Sequence, residues 1–462
     1  MTSAPATLAG LTGRVVRPGD ADYPVARRSW NLLFNHEPAV IVFAQETQDV
    51  VNAVAWARRN AVPVRVRSGG HCLEGWSTVD DGIVIDVSEL KSTTVDNAAN
   101  TAIVGAGLNQ LEAVTALGTV GVAAPTGTEG TVGLVGATLG GGFGLLTRNF
   151  GMASDNLLAA EVVVATKDSG AEVITVDQHT NVDLLWALRG AGNGNFGIVT
   201  SLTYRVQPLT QVSYLTATWS GLGDLPDVFD AWQRTAPYTD NRLTSQLEIA
   251  TDSFQLVGVL AAGSAEEATQ LLAPILSLGA PTVSITDADW ADTYAGFQIP
   301  TADEPVNWKF NSQFIYQPYP VEAIDLIVEF MSKAPSPQCN YFTNAFGGAV
   351  TGSEPPGGSV FAHRNALFYA EPGAGWGGAR GGQPEPAGSD PLTPACLAWV
   401  AEFSAALAPY VDGAYTNVPN AGLVDYETAY WGAGVDRLRQ IKAKYDPDNV
   451  FSFDQGIARV ES

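Results

Sequence analysis

Only three of the 462 residues are cysteine, at positions 72, 339 and 396. The number is odd and no two form a CxxC pair, so neither a disulfide framework nor a cysteine zinc site is implied. Charged side chains are also sparse, at 16 %, and they are lopsided: 24 Lys and Arg against 48 Asp and Glu, a net charge of −24. Such a surface repels nucleic acid and anionic membranes, so neither is an expected partner. The acidic residues are spread thinly rather than gathered in a tail. No apolar run reaches the roughly 18 residues of a membrane span. The opening "MTSAPATLAGLTGRVV" has no basic segment leading into an apolar one. A cytoplasmic protein is expected, with secretion after loss of a leader left open. The sequence also lacks GxxxxGK[ST], which removes a P-loop.

What is present is an ordinary globular composition, 46 % hydrophobic, with 48 glycines and 11 tryptophans. The length is too great for one simple core and implies two closely associated domains. "AVIVFA" (39–44), "VPVRVRS", "GIVIDVSEL" (82–90) and "TAIVGAG" read as strands. "TQDVVNAVAWARRNAV" and "LNQLEAVTAL" have helical spacing. The order is β-α-β-β-β-α, an α+β arrangement rather than a regular doubly wound sheet. After about residue 209 the pattern changes. "YLTATWSG", "LTSQLEIATD" and "FQLVGVLAAG" alternate as antiparallel strands, and "SAEEATQLLAPILSLG" is a helix with a Ser cap and a Gly stop. "PPGGS" and "GGARGGQPEPAGSDP" are surface loops. "GVDRLRQIKAKYDPDNVF" is a helix ended by Asp-Pro. The expected division is 1–208, 209–410 and a returning segment, 411–462.

Three glycine clusters stand out: "RSGGH" (67–71), "GLVGATLGGGFG" (133–144) and "GAGNGNFG" (190–197). Each alone is compatible with a tight turn. Runs of glycine also let backbone N–H groups approach a phosphate closely, and three clusters in one domain favour a dinucleotide. "GAGNGNFG" follows a helix rather than a first strand, which is the wrong context for a Rossmann fingerprint.

Taken in order, four blocks resemble the FAD-linked oxidases of the vanillyl-alcohol-oxidase superfamily, in their berberine-bridge-enzyme-like branch. They are "RVRSGGHCLEG", "GTEGTVGLVGATLGGGFGLLTRNFGMASDNL" (127–157), "LLWALRGAGNGNFGIVTSLTYRV" and "YWGAGVDRLRQIKAKYDPDNVFSFDQGI". The resemblance implies a two-part FAD-binding domain and a substrate domain whose antiparallel sheet is backed by helices. It implies that His71 bonds covalently to the 8α-methyl of the flavin. The first loop would add Arg67, Ser68, Gly69 and Gly70 to the FAD site. The second would add Gly127, Thr128, Val132, Gly133, Gly136, Ala137, Gly140, Gly141, Gly142 and Gly144. Gly197, Ile198 and Val199 follow from the third block; Asn417, Tyr445 and Asn449 come from the C-terminal region. Relatives with a second tether carry a cysteine in a GTCPxVG stretch. Here that stretch reads "GTEGTVG" and the position is Glu129, so one covalent bond, through His71 only, is expected. Cys72 resembles no linking residue. Val132 resembles the small gatekeeper that leaves the flavin open to O2, which implies an oxidase releasing H2O2.

The resemblance implies hydride transfer from a small organic substrate: an alcohol, sugar, amine or natural-product intermediate. The catalytic base stays open. Sugar-oxidising relatives use a tyrosine of Y-x-N-Y; "AYTNVPN" (414–420) keeps Tyr415 but has Val418 for the second tyrosine. The glutamate after a WGG-like turn has no match directly after "AFGGAV", and Glu354 falls too late. Tyr415, Tyr341, Tyr316 and Glu129 are the candidates; a tyrosinate requires a positive neighbour, for which Lys309 and Arg148 are available, or the flavin's own field. "NWKFNSQFIYQPYP" (307–320) and "CNYFTNAFGGAV" (339–350) read as neighbouring strands; a regular strand puts Trp308, Phe310 and Phe314 together. Which face lines the substrate site is undecided. A flavin-containing binding protein and a dehydrogenase with another acceptor are the alternatives. A monomer or a homodimer is expected.

Overall fold

The structure, a computed structural model, describes residues 7–300, 302–377 and 390–459. Most of the loop expected at 377–391 lies outside them.

Val40–Phe43, Ile83–Asp86 and Val64–Arg67 form a parallel trio, edged by Arg14–Val16 running antiparallel to Val40–Phe43. The helix Thr47–Asn60 crosses between them, capped by Glu46 and Asp49. Val50, Ala53, Val54, Trp56 and Ala57 bury the inward stripe that its spacing predicts. A second sheet is antiparallel throughout, in the order Thr93–Asp96, Thr101–Gly105, Ile198–Arg205, Leu157–Ala165, Ala171–Asp177. Thr93–Asp96 is a strand the sequence reading leaves out; its alternating half-exposed side chains carry little apolar signal. The two sheets share one core with Ala414, Tyr430, Trp431, Leu438, Ile441 and Tyr445 of the C-terminal segment. The chain therefore leaves this unit after Pro208 and comes back to it.

Between departure and return lies an eight-stranded antiparallel sheet. Leu225–Thr235, Ala265–Leu276, Val321–Ser332 and Thr393–Leu407 cover one face. Strand alternation sorts its side chains cleanly. Leu247, Leu256, Tyr341, Phe368 and Ala370 enter the core beneath those helices. Their neighbours Glu248, Gln255, Phe342, Tyr369 and Glu371 line a cavity on the other face. The segment 307–320 is not one strand. Asn307–Phe310 and Gln313–Ile315 each pair with Phe368–Trp376, with Asn311 and Ser312 between them. The break keeps Trp308 and Phe310 on the cavity and turns Phe314 into a separate aromatic cluster with Met152, Phe346 and Phe361.

Arg148, fully buried, joins the units. Its guanidinium donates to the carbonyls of Phe346 (3.0 Å), Asp240 (2.9 Å), Thr239 (2.8 Å), Pro237 (3.2 Å) and Leu243. Burial lowers its pKa to about 10, so it remains charged at neutral pH. It lies among these carbonyls, not beside a candidate tyrosine. Arg148→Met is expected to strand several buried acceptors, destabilising the fold by about 3 kcal/mol, read as a lower midpoint of thermal unfolding.

Candidate functional site

Two adjoining cavities, about 250 Å³ and about 650 Å³, meet where His71, Leu73, Val132, Ala137 and Asn417 line both. The narrower one runs between the first glycine loop, the start of the second, and residues 451–455 of the returning segment. At Gly69 and Gly133 the two loops meet backbone to backbone. A Cβ on Gly69 would fall 2.3 Å from the Gly133 nitrogen, and one on Gly133 would fall 2.6 Å from the Gly69 nitrogen. Any side chain at either position would force the loops apart. Gly70 (φ +75) and Gly136 differ: a Cβ there meets nothing within 4 Å, because both line the open cleft.

The mix of unpaired donors and an acceptor fits a dinucleotide. Arg65 Nε, Ser77 Oγ and Asn193 Oδ1 are buried polar atoms without a hydrogen-bond partner, and all three residues line the cleft. Such groups are costly unless a ligand satisfies them. FAD would lie along the glycine loops, reaching His71 at the junction of the cavities.

Of the residues named from sequence, Arg67, Ser68, Gly69, Gly70, His71, Val132, Gly133, Gly136, Ala137, Gly197, Val199 and Asn417 line the narrower cavity. Gly127, Thr128, Glu129 and Gly142 line the wider one. Arg67 is held by Asp86 at Nε (2.5 Å), while its buried Nη1 has no hydrogen-bond partner. Ile198 points away, as the strand neighbour of Val199 must. Gly140, Gly141 and Gly144 shape the second loop rather than line either cavity: a Cβ on Gly140 would strike the Asn417 amide, and one on Gly144 the Thr126 carbonyl. Tyr445 and Asn449 also lie off the cleft. The Tyr445 hydroxyl donates to Asn181 (3.0 Å) and Asp183 (2.8 Å), and Asn449 (φ 54) forms the turn after the last helix. Residues missed by the sequence reading, including Trp76, Thr416 and Phe453, supply the rest of that wall.

His71 stacks on Trp30 with ring centroids 5.1 Å apart. Burial lowers its pKa to about 4, so the imidazole is neutral at physiological pH. Its Nε2 lies 3.1 Å from Thr131 Oγ1, whose hydroxyl donates to Glu129 Oε1 at 3.0 Å. Cys72 lines the same cleft, its thiol pKa raised by burial.

The candidate bases differ in their place relative to the wider cavity. Tyr341 sits on the helix-facing side of its strand, its hydroxyl 3.1 Å from that of Tyr319. Tyr316 meets His363 Nδ1 at 2.8 Å, outside the cavity lining. Lys309 pairs with buried Glu74, away from any candidate tyrosine. Glu354 accepts from the Ser359 N–H (3.2 Å), also off the cavity. Tyr415 does line it. Gly142 N–H (2.8 Å) and Asn417 Nδ2–H (2.7 Å) both donate to its oxygen. Burial nevertheless outweighs these donors and pushes its pKa up.

Glu371, absent from the candidates read off the sequence, faces the same space. It stands directly across from Phe342, which in turn pairs with Glu248, so the three form a row over neighbouring strands. The Tyr369 hydroxyl donates to its carboxylate. Burial dominates that hydrogen bond and raises the Glu371 pKa to about 7. The available signal was one acid two residues after a tyrosine in "ALFYAEPGAGW" (366–376); only strand register shows where it points. No helix among the described residues is long and apolar enough to cross a membrane.

Residues 38–168 match the FAD binding domain model, and residues 414–458 match the berberine and berberine-like model. The FAD-linked oxidoreductase YgaK of Bacillus subtilis is 37 % identical over 97 % of this chain and 97 % of its own. The (R)-6-hydroxynicotine oxidase of Paenarthrobacter nicotinovorans is 36 % identical over 45 % of this chain and 44 % of its own. Physcomitrella patens BBE-like 1 superposes with a TM-score of 0.89 at 26 % identity, covering 98 % of this chain and 99 % of that one. With matching cofactor and C-terminal regions, full-length relatedness and the same architecture, the chain belongs to the berberine-bridge-enzyme-like family of FAD-linked oxidoreductases.

Proposed function

We propose that this protein is an oxidase of a small neutral or cationic aromatic substrate, with FAD held covalently through His71 alone and dioxygen as the acceptor. The observation that carries the reading is Glu371, a carboxylate with a pKa of about 7 on the wall of the wider cavity. FAD held along the glycine loops would supply a two-electron acceptor for the substrate's hydride, with dioxygen as the final acceptor and H2O2 as its product.

The protein supplies orientation and proton transfer. Glu371 removes the proton from a substrate O–H or N–H as the hydride leaves, with Tyr369 holding the carboxylate. Tyr415 serves as a hydrogen-bond donor: two N–H groups occupy its oxygen and its own proton is retained. Trp308, Phe310 and Phe342 offer flat apolar surface to a ring. Among the described lining residues are the carboxylates Glu129, Glu248, Glu304 and Glu371, and no Lys or Arg. This balance disfavours an anionic substrate and suits one rich in donors.

Val132 lines both cavities at their junction, which supports its reading as the small residue that leaves the flavin open to oxygen. Glu129 cannot form a thioether, which supports a single covalent bond.

Three outcomes are expected. Acid- or SDS-denatured protein stays yellow, His71→Ala releases its flavin, and a peptide spanning 127–148 carries no flavin mass. A wild-type chain whose flavin separates in SDS would falsify the covalent link. In stopped-flow reduction by a substrate found through H2O2 release, the rate rises with pH through a midpoint of about 7, because the base works only when ionised. Glu371→Gln abolishes that slope and lowers reduction roughly 10²–10⁴-fold; an unchanged profile removes Glu371 as the base. Val132→Leu adds roughly one methylene to a packed interior. It slows reoxidation by O2 while leaving reduction nearly unchanged, and equal slowing of both half-reactions argues against a gate.

A further inference from the structure

His71, Thr131 and Glu129 form a chain of hydrogen bonds whose direction is determined. The Thr131 hydroxyl has one proton and donates it to Glu129 Oε1 (3.0 Å). At the 3.1 Å contact with His71 it must therefore accept, and Nε2 must carry the imidazole proton. Glu129 is itself fixed, since its Oε1 also accepts from the Thr131 N–H at 3.2 Å. In a neutral imidazole with Nε2 protonated, the free lone pair is on Nδ1. Nδ1 makes no hydrogen bond with any described residue and is not among the buried unpartnered atoms, so it is left accessible on a residue that lines both cavities. Trp30 holds the ring plane.

We propose that Glu129, acting through Thr131, is a positioning residue for the attachment of His71 to FAD: it selects the Nε2–H tautomer and draws off that proton as Nδ1 forms its bond. The inference rests on the covalent reading above. In the complete step a C–H bond of the flavin 8α-methyl and the imidazole N–H bond break, and the Nδ1–C bond forms. The two electrons pass into the flavin ring system. Dioxygen then reoxidises it, and both electrons and both protons leave as H2O2. The imidazole would become cationic as it is alkylated. A carboxylate one hydroxyl away favours that charge, as the aspartate of a catalytic triad favours its imidazolium.

The test compares full-length Glu129→Gln, Glu129→Asp, Thr131→Val and Thr131→Ser proteins with wild type. Each is purified, incubated with excess FAD in air, and scored for flavin fluorescence of the SDS-denatured band and for total flavin released. Glu129→Gln and Thr131→Val are expected to bind FAD with a covalent fraction at least tenfold below wild type. Glu129→Asp and Thr131→Ser are expected to keep more than half of it, which a purely structural role for either position would not predict. Covalent fractions in Glu129→Gln and Thr131→Val equal to wild type overturn the relay while leaving the His71 bond intact. Absence of covalent flavin in wild type instead overturns the reading on which the relay rests. If Glu129→Gln fails to fold, the Thr131→Val and Thr131→Ser pair decides alone.

Discussion

Gly69 and Gly133 approach each other so closely that a single methyl on either would collide with the other's backbone. The rest of the site depends on this contact. It sets the separation of two loops that come from different parts of the chain. It brings His71, two residues beyond Gly69, beside the stretch 127–133 that carries Glu129, Thr131 and Val132. Side chains between the loops would widen the cleft and take His71 out of reach of Thr131. The glycines here are therefore a packing requirement as well as a source of backbone freedom.

The second constraint is the two-residue period of the large sheet. Helices bury one face, so the strands over the cavity present their alternate residues to it. Tyr341 and Phe342 are adjacent in sequence, yet one lies in the helix-side core and the other beside Glu371. The same rule places Tyr369 and Glu371 together, two residues apart on one strand. A carboxylate in that half-apolar surrounding keeps its proton to about neutrality, as a general base working near physiological pH requires. Tyr415 has the opposite character. It is anchored by two donors and raised by burial, which suits orientation better than proton removal.

The ion pairs and buried cations do structural work around this chemistry. Lys309 binds Glu74, which also accepts the Ala421 N–H (3.1 Å), tying a strand of the large sheet to the first cofactor loop and to the returning segment. Lys442 is fully buried and holds Asp446 together with the carbonyls of Asn195 and Phe451, fixing residues 451–455 against the cleft. These cations stay outside the lining of the wider cavity, so none of them pairs with a carboxylate there.

Local pattern determined much of this protein. Helical spacing located Thr47–Asn60 and Gln110–Gly118, and alternation located the sheet strands, because each signal lies within a few consecutive residues; the glycine blocks and His71 were singled out by the family resemblance they carry. Where the sequence reading stopped, the deciding contact is non-local. Arg148 and Lys309 were candidates for activating a tyrosine; folding takes them to carbonyls and to Glu74, contacts invisible along the chain. Tyr445 and Asn449 belong to the returning block, yet the end of its helix and the turn that follows hold both off the cleft. Glu371 was overlooked because one acid in an apolar strand has no distinctive neighbours. Its significance depends on register against Phe342, on the break after Phe310, and on helices covering the other face. Sequence alone determined the fold class; tertiary structure decided which side chains share the wider cavity, since a one-residue change of strand register would send Glu371 into the helix-side core.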